Sequence, residues 1–317
     1  ASFSSSACCS SASSGSSRER LMSYLSRAYY GYEGKYLVTA TFRADGASKF
    51  AVNNKWAYFP SVGLAWRLSD EPFFARRLPE ISELKLRASV GRTGSEAISA
   101  YQSLAAWSVG SPYDLGTTKL NNGAKPSRNS NPNLKWETTQ QTDLGFDMGF
   151  FNNKIGLTFD NYKKTTHDLL YSKLVPYYTG YTDYVTNIGS VENRGNEIGV
   201  DTRQRVRAID IRLGGNIAWN RSKVLDLGGD KEFFLDGVNG SLPTFRPAAI
   251  VRVGEPLGNF FGYIWDGIFQ TAAEAAASGQ SGAVAGGMKL HDVNGDGKIT
   301  TDDRVILGNA QPKYTLG

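Results

Sequence analysis

Between Lys135 and Phe150 the chain alternates strictly toward its end. Leu144, Phe146, Met148 and Phe150 are apolar, while Glu137, Thr139, Gln141, Asp143, Gly145, Asp147 and Gly149 are polar or small. After the turn pair Asn152-Asn153 the alternation resumes, with Ile155, Leu157 and Phe159 set against Gly156, Thr158 and Asp160. A period of two places successive side chains on opposite faces of a strand, so this stretch predicts an antiparallel hairpin with one greasy and one wet face. The same grammar recurs at 36–43, after the turn Glu33-Gly34, and at 62–68, 84–91 and 212–220. An antiparallel soluble sandwich can produce any one such segment. Several run to about 10 residues, the length of a tilted membrane strand and longer than the usual soluble strand of about 5–6. The predicted fold class is therefore all-β, an antiparallel transmembrane β-barrel present in part.

Connections fall into two classes. Short turns (Glu33-Gly34, Asn152-Asn153 and the region Val206 to Ala208) alternate with long polar insertions at Gly94–Leu134, Lys163–Gly195, Arg221–Ala248 and Gly254–Lys313. Short turns on one rim and long loops on the other is the asymmetry of outer-membrane barrels. Within the last insertion, Thr271 to Ala277 has the Ala/Glu composition of a short helix. The first 17 residues form a Ser/Ala-rich segment, expected to be flexible, ahead of the partial barrel at 18–317. That segment lacks the basic and apolar regions of a signal peptide, so a targeting signal is expected upstream of Ala1.

Composition narrows the functions. No apolar run approaches the roughly 20 residues of a membrane-spanning helix. The 16 Tyr, 16 Phe, 6 Trp and 35 Gly suit aromatic girdles and a lumen face dotted with small residues. Trp56, Trp66, Trp107, Trp136, Trp219 and Trp265 read as girdle or loop aromatics in preference to a sugar-stacking platform. The net charge of +5 comes from Lys and Arg spread along the chain, so no nucleic-acid partner is expected. The two cysteines, Cys8 and Cys9, are adjacent and provide no disulfide framework. His167 and His291 have no evident Cys or His companions. Asp45-Gly46-Ala47-Ser48-Lys49-Phe50 lacks phosphate-loop spacing and reads as a strand end and turn. Asp143 and Asp147 share a strand face and read as lumen lining, with no glycosidase chemistry assigned.

One motif carries explicit chemistry. From Asp292 the chain reads Asp-Val-Asn-Gly-Asp-Gly-Lys-Ile-Thr-Thr-Asp-Asp, the pattern of an EF-hand-like loop at 292–303. Calcium is a hard cation that takes about six to eight oxygens, and alternate residues of a curled loop aim oxygens inward. Asp292, Asn294 and Asp296 stand at loop positions one, three and five, and Lys298 offers its carbonyl at seven. Thr300 contributes directly or through water, and Asp303 closes the loop at twelve. Asp303 replaces the usual Glu, and its shorter arm is expected to weaken affinity.

Several segments together resemble the SusC/RagA family of TonB-dependent outer-membrane transporters. They are 35–50, beginning Lys35-Tyr36-Leu37 and ending Ser48-Lys49-Phe50, and 58–67, beginning Tyr58-Phe59-Pro60. Further on come Leu84 to Gly94, Asn131-Pro132-Asn133-Leu134-Lys135-Trp136-Glu137, Asn187 to Glu197, Val253 to Gly258, and the calcium-type loop followed by Asp303 to Asn309. The similarity runs in consistent order from about Leu21 onward. It implies a middle-to-late segment of a barrel of about 22 strands, importing glycans or peptides across the bacterial outer membrane. It also implies a SusD-like surface lipoprotein, TonB engaged through an N-terminal part outside this sequence, and a lipid surround. The resemblance implies no catalytic residue and no enzyme. Two other functions compete. A calcium-dependent surface binding module of dockerin type needs two such loops, and one is present. An outer-membrane hydrolase needs a nucleophile–base set, and none stands out.

Overall fold

The computed structural model describes residues 16–113, 121–175, 177–181, 183–206, 209–235 and 249–317. All but two residues of the Ser/Ala-rich segment, and residues 207–208 of the expected Val206–Ala208 turn, lie outside the described residues.

The chain opens with three long strands, β1 (Leu21–Tyr32), β2 (Tyr36–Ala47) and β3 (Trp56–Arg67). The short helix α1 (Pro72–Arg77) leads into β4 (Ile81–Ser95). A loop hairpin, β5 (Ala106–Tyr113) and β6 (Asn121–Arg128), precedes β7 (Glu137–Phe150) and β8 (Ile155–His167). A second loop hairpin, β9 (Leu170–Leu174) and β10 (Asp183–Asn187), precedes β11 (Ser190–Val206) and β12 (Ile209–Asp226). Then come β13 (Glu232–Leu235), β14 (Ala249–Arg252), β15 (Asn259–Gly262) and β16 (Trp265–Ile268). Helix α2 (Ala272–Ala277), β17 (Met288–Leu290), β18 (Val305–Asn309) and β19 (Thr315–Leu316) complete the series.

Nine strands form one open antiparallel sheet in the order β1-β2-β3-β4-β7-β8-β11-β12-β19. Its register threads a single apolar row across every strand: Tyr32, Tyr36, Trp66, Leu86, Phe146, Phe159, Ile198, Ile217 and Leu316. One residue away, on the opposite face, the matching row is Gly31, Leu37, Ala65, Arg87, Gly145, Asp160, Glu197, Ala218 and Thr315. A slip of one residue in any strand would exchange these faces, so the alternation excludes odd slips of register.

Connections at one end are compact. Glu33 and Gly34 turn β1 into β2 with positive φ, and Phe151, Asn152 and Asn153 do the same between β7 and β8. The longer β3–β4 connection on this rim carries α1, started by Pro72 at its first turn. Glu71 fastens it: Tyr36 Oη donates to the carboxylate at 2.8 Å, and Lys35 Nζ lies 3.5 Å away. The Tyr36 hydroxyl, ahead of Trp66 and Lys35, holds the Glu71 carboxyl below its ordinary value.

At the other rim the connections are long and carry their own structure. Phe50, Leu134, Trp136, Phe59 and Ala47 pack there as a buried cluster. The Trp136 ring lies 5.0 Å from Phe50 and meets Phe59 edge-on at 5.7 Å. Its indole N–H donates to Lys55 O at 2.9 Å, giving the buried ring a partner for its polar edge. Trp136 is thus a core residue of the rim and departs from the girdle-or-loop expectation. Trp56, Trp66 and Trp219 lie on the apolar face, and Trp107 and Trp265 on loop strands.

Two insertions begin later than the alternation suggests. β8 continues to His167 and β12 to Asp226, while β11 already starts at Ser190, so much of 163–195 and the start of 221–248 is strand. Polar residues occupy both faces there, which erases the period-two signal. The 254–313 insertion supplies β15 and β18, which join β13 and β14 from the preceding segment in a four-stranded sheet, β13-β14-β15-β18, and it carries α2 near its expected position. Thr271 caps that helix by accepting from Glu274 N at 3.1 Å.

Candidate functional site

The two faces of the sheet differ in what they can touch. On the apolar face, aromatic pairs mark two levels. Tyr36 stacks on Trp66 at 6.0 Å near the short turns. Tyr24 on Trp56 at 5.9 Å and Phe42 on Tyr58 at 6.0 Å lie toward the long loops. Ten residue steps separate Trp56 from Trp66 on β3. They span about 34 Å of strand, or about 26 Å of height at a tilt of about 40°, matching an apolar band of about 25 Å. Tyr30, Val38, Ala40, Val62 and Leu64 fill the interval. This face has the dimensions of a hydrocarbon slab.

The other face is a polar network. Arg87 bridges Asp147 at 2.8 Å and Asp160 at 3.0 Å, and Lys85 reaches Asp147 at 3.7 Å. Asp143 accepts from Ser89 at 3.1 Å and from Gln141 at 2.9 Å. Asp143 and Asp147 are therefore partners of cations, hydroxyls and amides, as a lumen lining requires. Gly145 leaves the space into which the Asp160 carboxylate reaches, since a Cβ there would meet it. Toward the long-loop rim the same face forms a cleft of about 550 Å³, lined by Arg27, Arg43, Asp45, Glu96, Phe59 and Trp136 among others. Asp45 is nearly inaccessible and pairs with Arg43 at 2.7 Å. The mixture of charge and aromatic surface suits polar solutes carrying apolar faces.

The rim above this cleft is assembled from segments distant in sequence. Asn187 exchanges hydrogen bonds with the backbone of Lys135, and Asn131 Nδ2 donates to Val185 O at 2.9 Å. Asn54 Nδ2 donates to Asn133 O at 3.2 Å, and Glu137 accepts from Leu170 N at 3.1 Å. Alternation could not disclose these contacts. The asparagines of the 131–137 and 187–197 segments were their only visible trace.

The loop at 292–303 is curled by its own side chains. Asp292 accepts from the N–H of Gly295 and of Gly297, both at 2.7 Å, Asn294 from Asp296 N at 2.9 Å, and Asp296 from Lys298 N at 2.8 Å. Gly295 and Gly297 take the positive φ that the curl needs. Asp303 is fully buried and accepts from Val293, Asn294 and Thr300. The Thr300 N–H foremost, with burial opposing and the Val293 and Asn294 N–H groups assisting, holds its carboxyl below the ordinary value. Thr300 accepts from Asp302 N at 3.2 Å, and the Lys298 side chain enters no pairing in the loop. Arg304 then stacks over Phe261 at 4.6 Å and ties the loop to the small sheet. Among the described residues, no three His, Cys, Asp or Glu side chains converge as a metal-holding group.

Comparison with known proteins agrees with this architecture. Residues 10–316 match the family model described as TonB dependent receptor-like, beta-barrel. TonB-dependent receptor P3 of Formosa agariphila is 37% identical over 94% of this chain, which spans 30% of that relative. TonB-dependent receptor SusC of Bacteroides thetaiotaomicron is 31% identical over 95% of this chain, again 29% of the relative's length. The RagAB peptide transporter superposes with a TM-score of 0.76 at 25% identity, covering 94% of this chain and 31% of that one. The chain belongs to the TonB-dependent receptor β-barrel family, of the SusC/RagA kind, and its nine-stranded sheet is an outer-membrane barrel wall.

Proposed function

We propose that this wall belongs to a transporter that imports glycans or peptides through the outer membrane, with its polar face lining the conduit. The observation that carries this reading is the sheet's division into a continuous apolar face and a charged, cleft-bearing face beneath a rim of structured loops. A SusD-like lipoprotein docks on that long-loop rim, and TonB supplies energy through a part of the protein outside these residues. RagAB, a peptide transporter by its description, is a structural relative that favours peptides as one solute class. No catalytic role is assigned to any residue. Deleting the full-length gene and measuring uptake of candidate oligosaccharides and peptides tests the proposal. Loss of uptake for one solute class supports it, and wild-type uptake of all of them would overturn it.

Calcium belongs to the same proposal as a loop-ordering ion. Asp292, Asn294, Asp296 and Asp303 supply side-chain oxygens, Lys298 its carbonyl and Thr300 an oxygen directly or through water. Asp292, Asn294 and Asp296 already hold the loop curled by accepting from its own backbone N–H groups, and their spacing favours this use.

A further inference from the structure

Four cations stand on the outward face where β8, β11 and β12 rise toward the long-loop rim. Lys163, Arg194 and Arg221 are direct cross-strand neighbours on β8, β11 and β12, in one unbroken row. Parity places them on the apolar face, each four residues beyond Phe159, Ile198 and Ile217 toward the long-loop rim. Lys223 stands two residues higher on the same face, opposite Glu192. All four are exposed. Glu192 is the one carboxylate among them, bound to Lys163 at 2.8 Å. Among the described residues, Arg194, Arg221 and Lys223 have no ion-pair partner within 4.0 Å.

Like charges set directly opposite on neighbouring strands repel, and Glu192 offsets only one of the four cations, so the row costs stability unless a further anion joins it. Their height indicates which anion. Eight residue steps from Ile155, at the short turn, to Lys163 span about 27 Å of strand and about 21 Å of height at a tilt of about 40°, close to the top of the apolar band. Trp219, two residues below Arg221 on the same face, marks the same boundary. Beside them a cleft of about 860 Å³ opens between the edge of β12 and residues 309–314, adding Lys313 and Tyr314.

We infer that this outward row, Lys163, Arg194, Arg221 and Lys223, seats the phosphate groups of an anionic glycolipid of the outer leaflet. The assignment rests on the outer-membrane orientation with the long loops outermost, and is independent of what the barrel imports. Arginine meets a phosphate with two parallel N–H bonds, and lysine adds charge at headgroup level.

The test uses the full-length protein, purified in mild detergent, with heat-modifiable migration confirming a folded barrel. It is placed in phosphatidylcholine nanodiscs and titrated with a bisphosphorylated glycolipid or with its dephosphorylated form. The wild type should prefer the phosphorylated form, and each of Lys163→Gln, Arg194→Gln, Arg221→Gln and Lys223→Gln should weaken binding about fivefold. Lys164→Gln, one residue along β8 on the opposite face, should leave it unchanged. Equal binding of the two glycolipids would overturn the inference. So would unchanged glycolipid binding in the four-site variant, including the case where that variant loses a co-purifying lipoprotein instead.

Discussion

The side chain of Asn187 pairs with the backbone of Lys135 in both directions, accepting from its N–H at 2.9 Å and donating to its carbonyl at 2.8 Å. A side-chain amide here takes the place of a strand's backbone, and it also donates to Asp168 O at 2.9 Å. Two loops fifty-two residues apart in sequence are thereby locked at one rim.

Asn187→Ala removes all three bonds and leaves backbone groups of Lys135 and Asp168 without their partner. The expected cost is about 1–3 kcal/mol, confined to the rim. Hydrogen exchange on the full-length protein should show faster exchange in 131–137 and 168–187, with β7 and β8 below unchanged.

Phe159 and Thr158 are adjacent on β8 but face opposite media. Phe159→Arg should destabilise the barrel by about 2–4 kcal/mol, the cost of a cation on the lipid face near mid-depth. Thr158→Arg should change stability by less than about 1 kcal/mol, since it enters the polar face. Urea midpoints of the folded barrel in micelles would measure both, and similar losses would contradict the assignment of faces.

Arg87 holds two carboxylates. Arg87→Met leaves Asp160 without its cation while Asp147 keeps Lys85, at a cost of about 1 kcal/mol for these partly exposed groups. Adding Asp160→Asn should recover part of the loss, because the unpaired charge is then gone. A double-mutant cycle on unfolding midpoints reads the coupling.

The 292–303 loop should be acid-sensitive. Asp303 titrates below its ordinary value when folded, so its ionised form adds stability at neutral pH, and this is lost as pH falls through the depressed value. Protection of the Val293, Asn294 and Thr300 amides, corrected for intrinsic exchange, should hold from neutrality down to the ordinary carboxylate range and fall below it. Asp303→Asn should lose that dependence.

Calcium should slow proteolysis at Lys298 relative to chelator, and Asp296→Ala should abolish the difference. Equal cleavage with and without calcium would remove the ion from the proposal while leaving the Asp303 closure intact.

Much of the wall was legible from residue order. Alternation at 36–43, 62–68, 84–91 and 144–159 assigned strands and faces, because a half-buried strand must show period two. The signal faded above Asn161, Asn196 and Trp219, where β8, β11 and β12 rise toward the edge of the band and polar residues occupy both faces. The calcium-type motif located a curled loop, but its spacing left open that Asp303 would be fully buried on three backbone amides.

Residue order alone determined the fold class, the strand faces and the asymmetry of the rims, since these follow from local periodicity and turn chemistry. Only the tertiary structure decided which strands are neighbours. Cross-strand register is a non-local property: nothing near Lys163 in sequence reveals that Arg194 and Arg221 will stand beside it. The same holds for Asn187 with Lys135, and for Trp136 buried against Phe50 and Phe59. Each joins groups whose spacing along the chain carries no physical information about their distance in space.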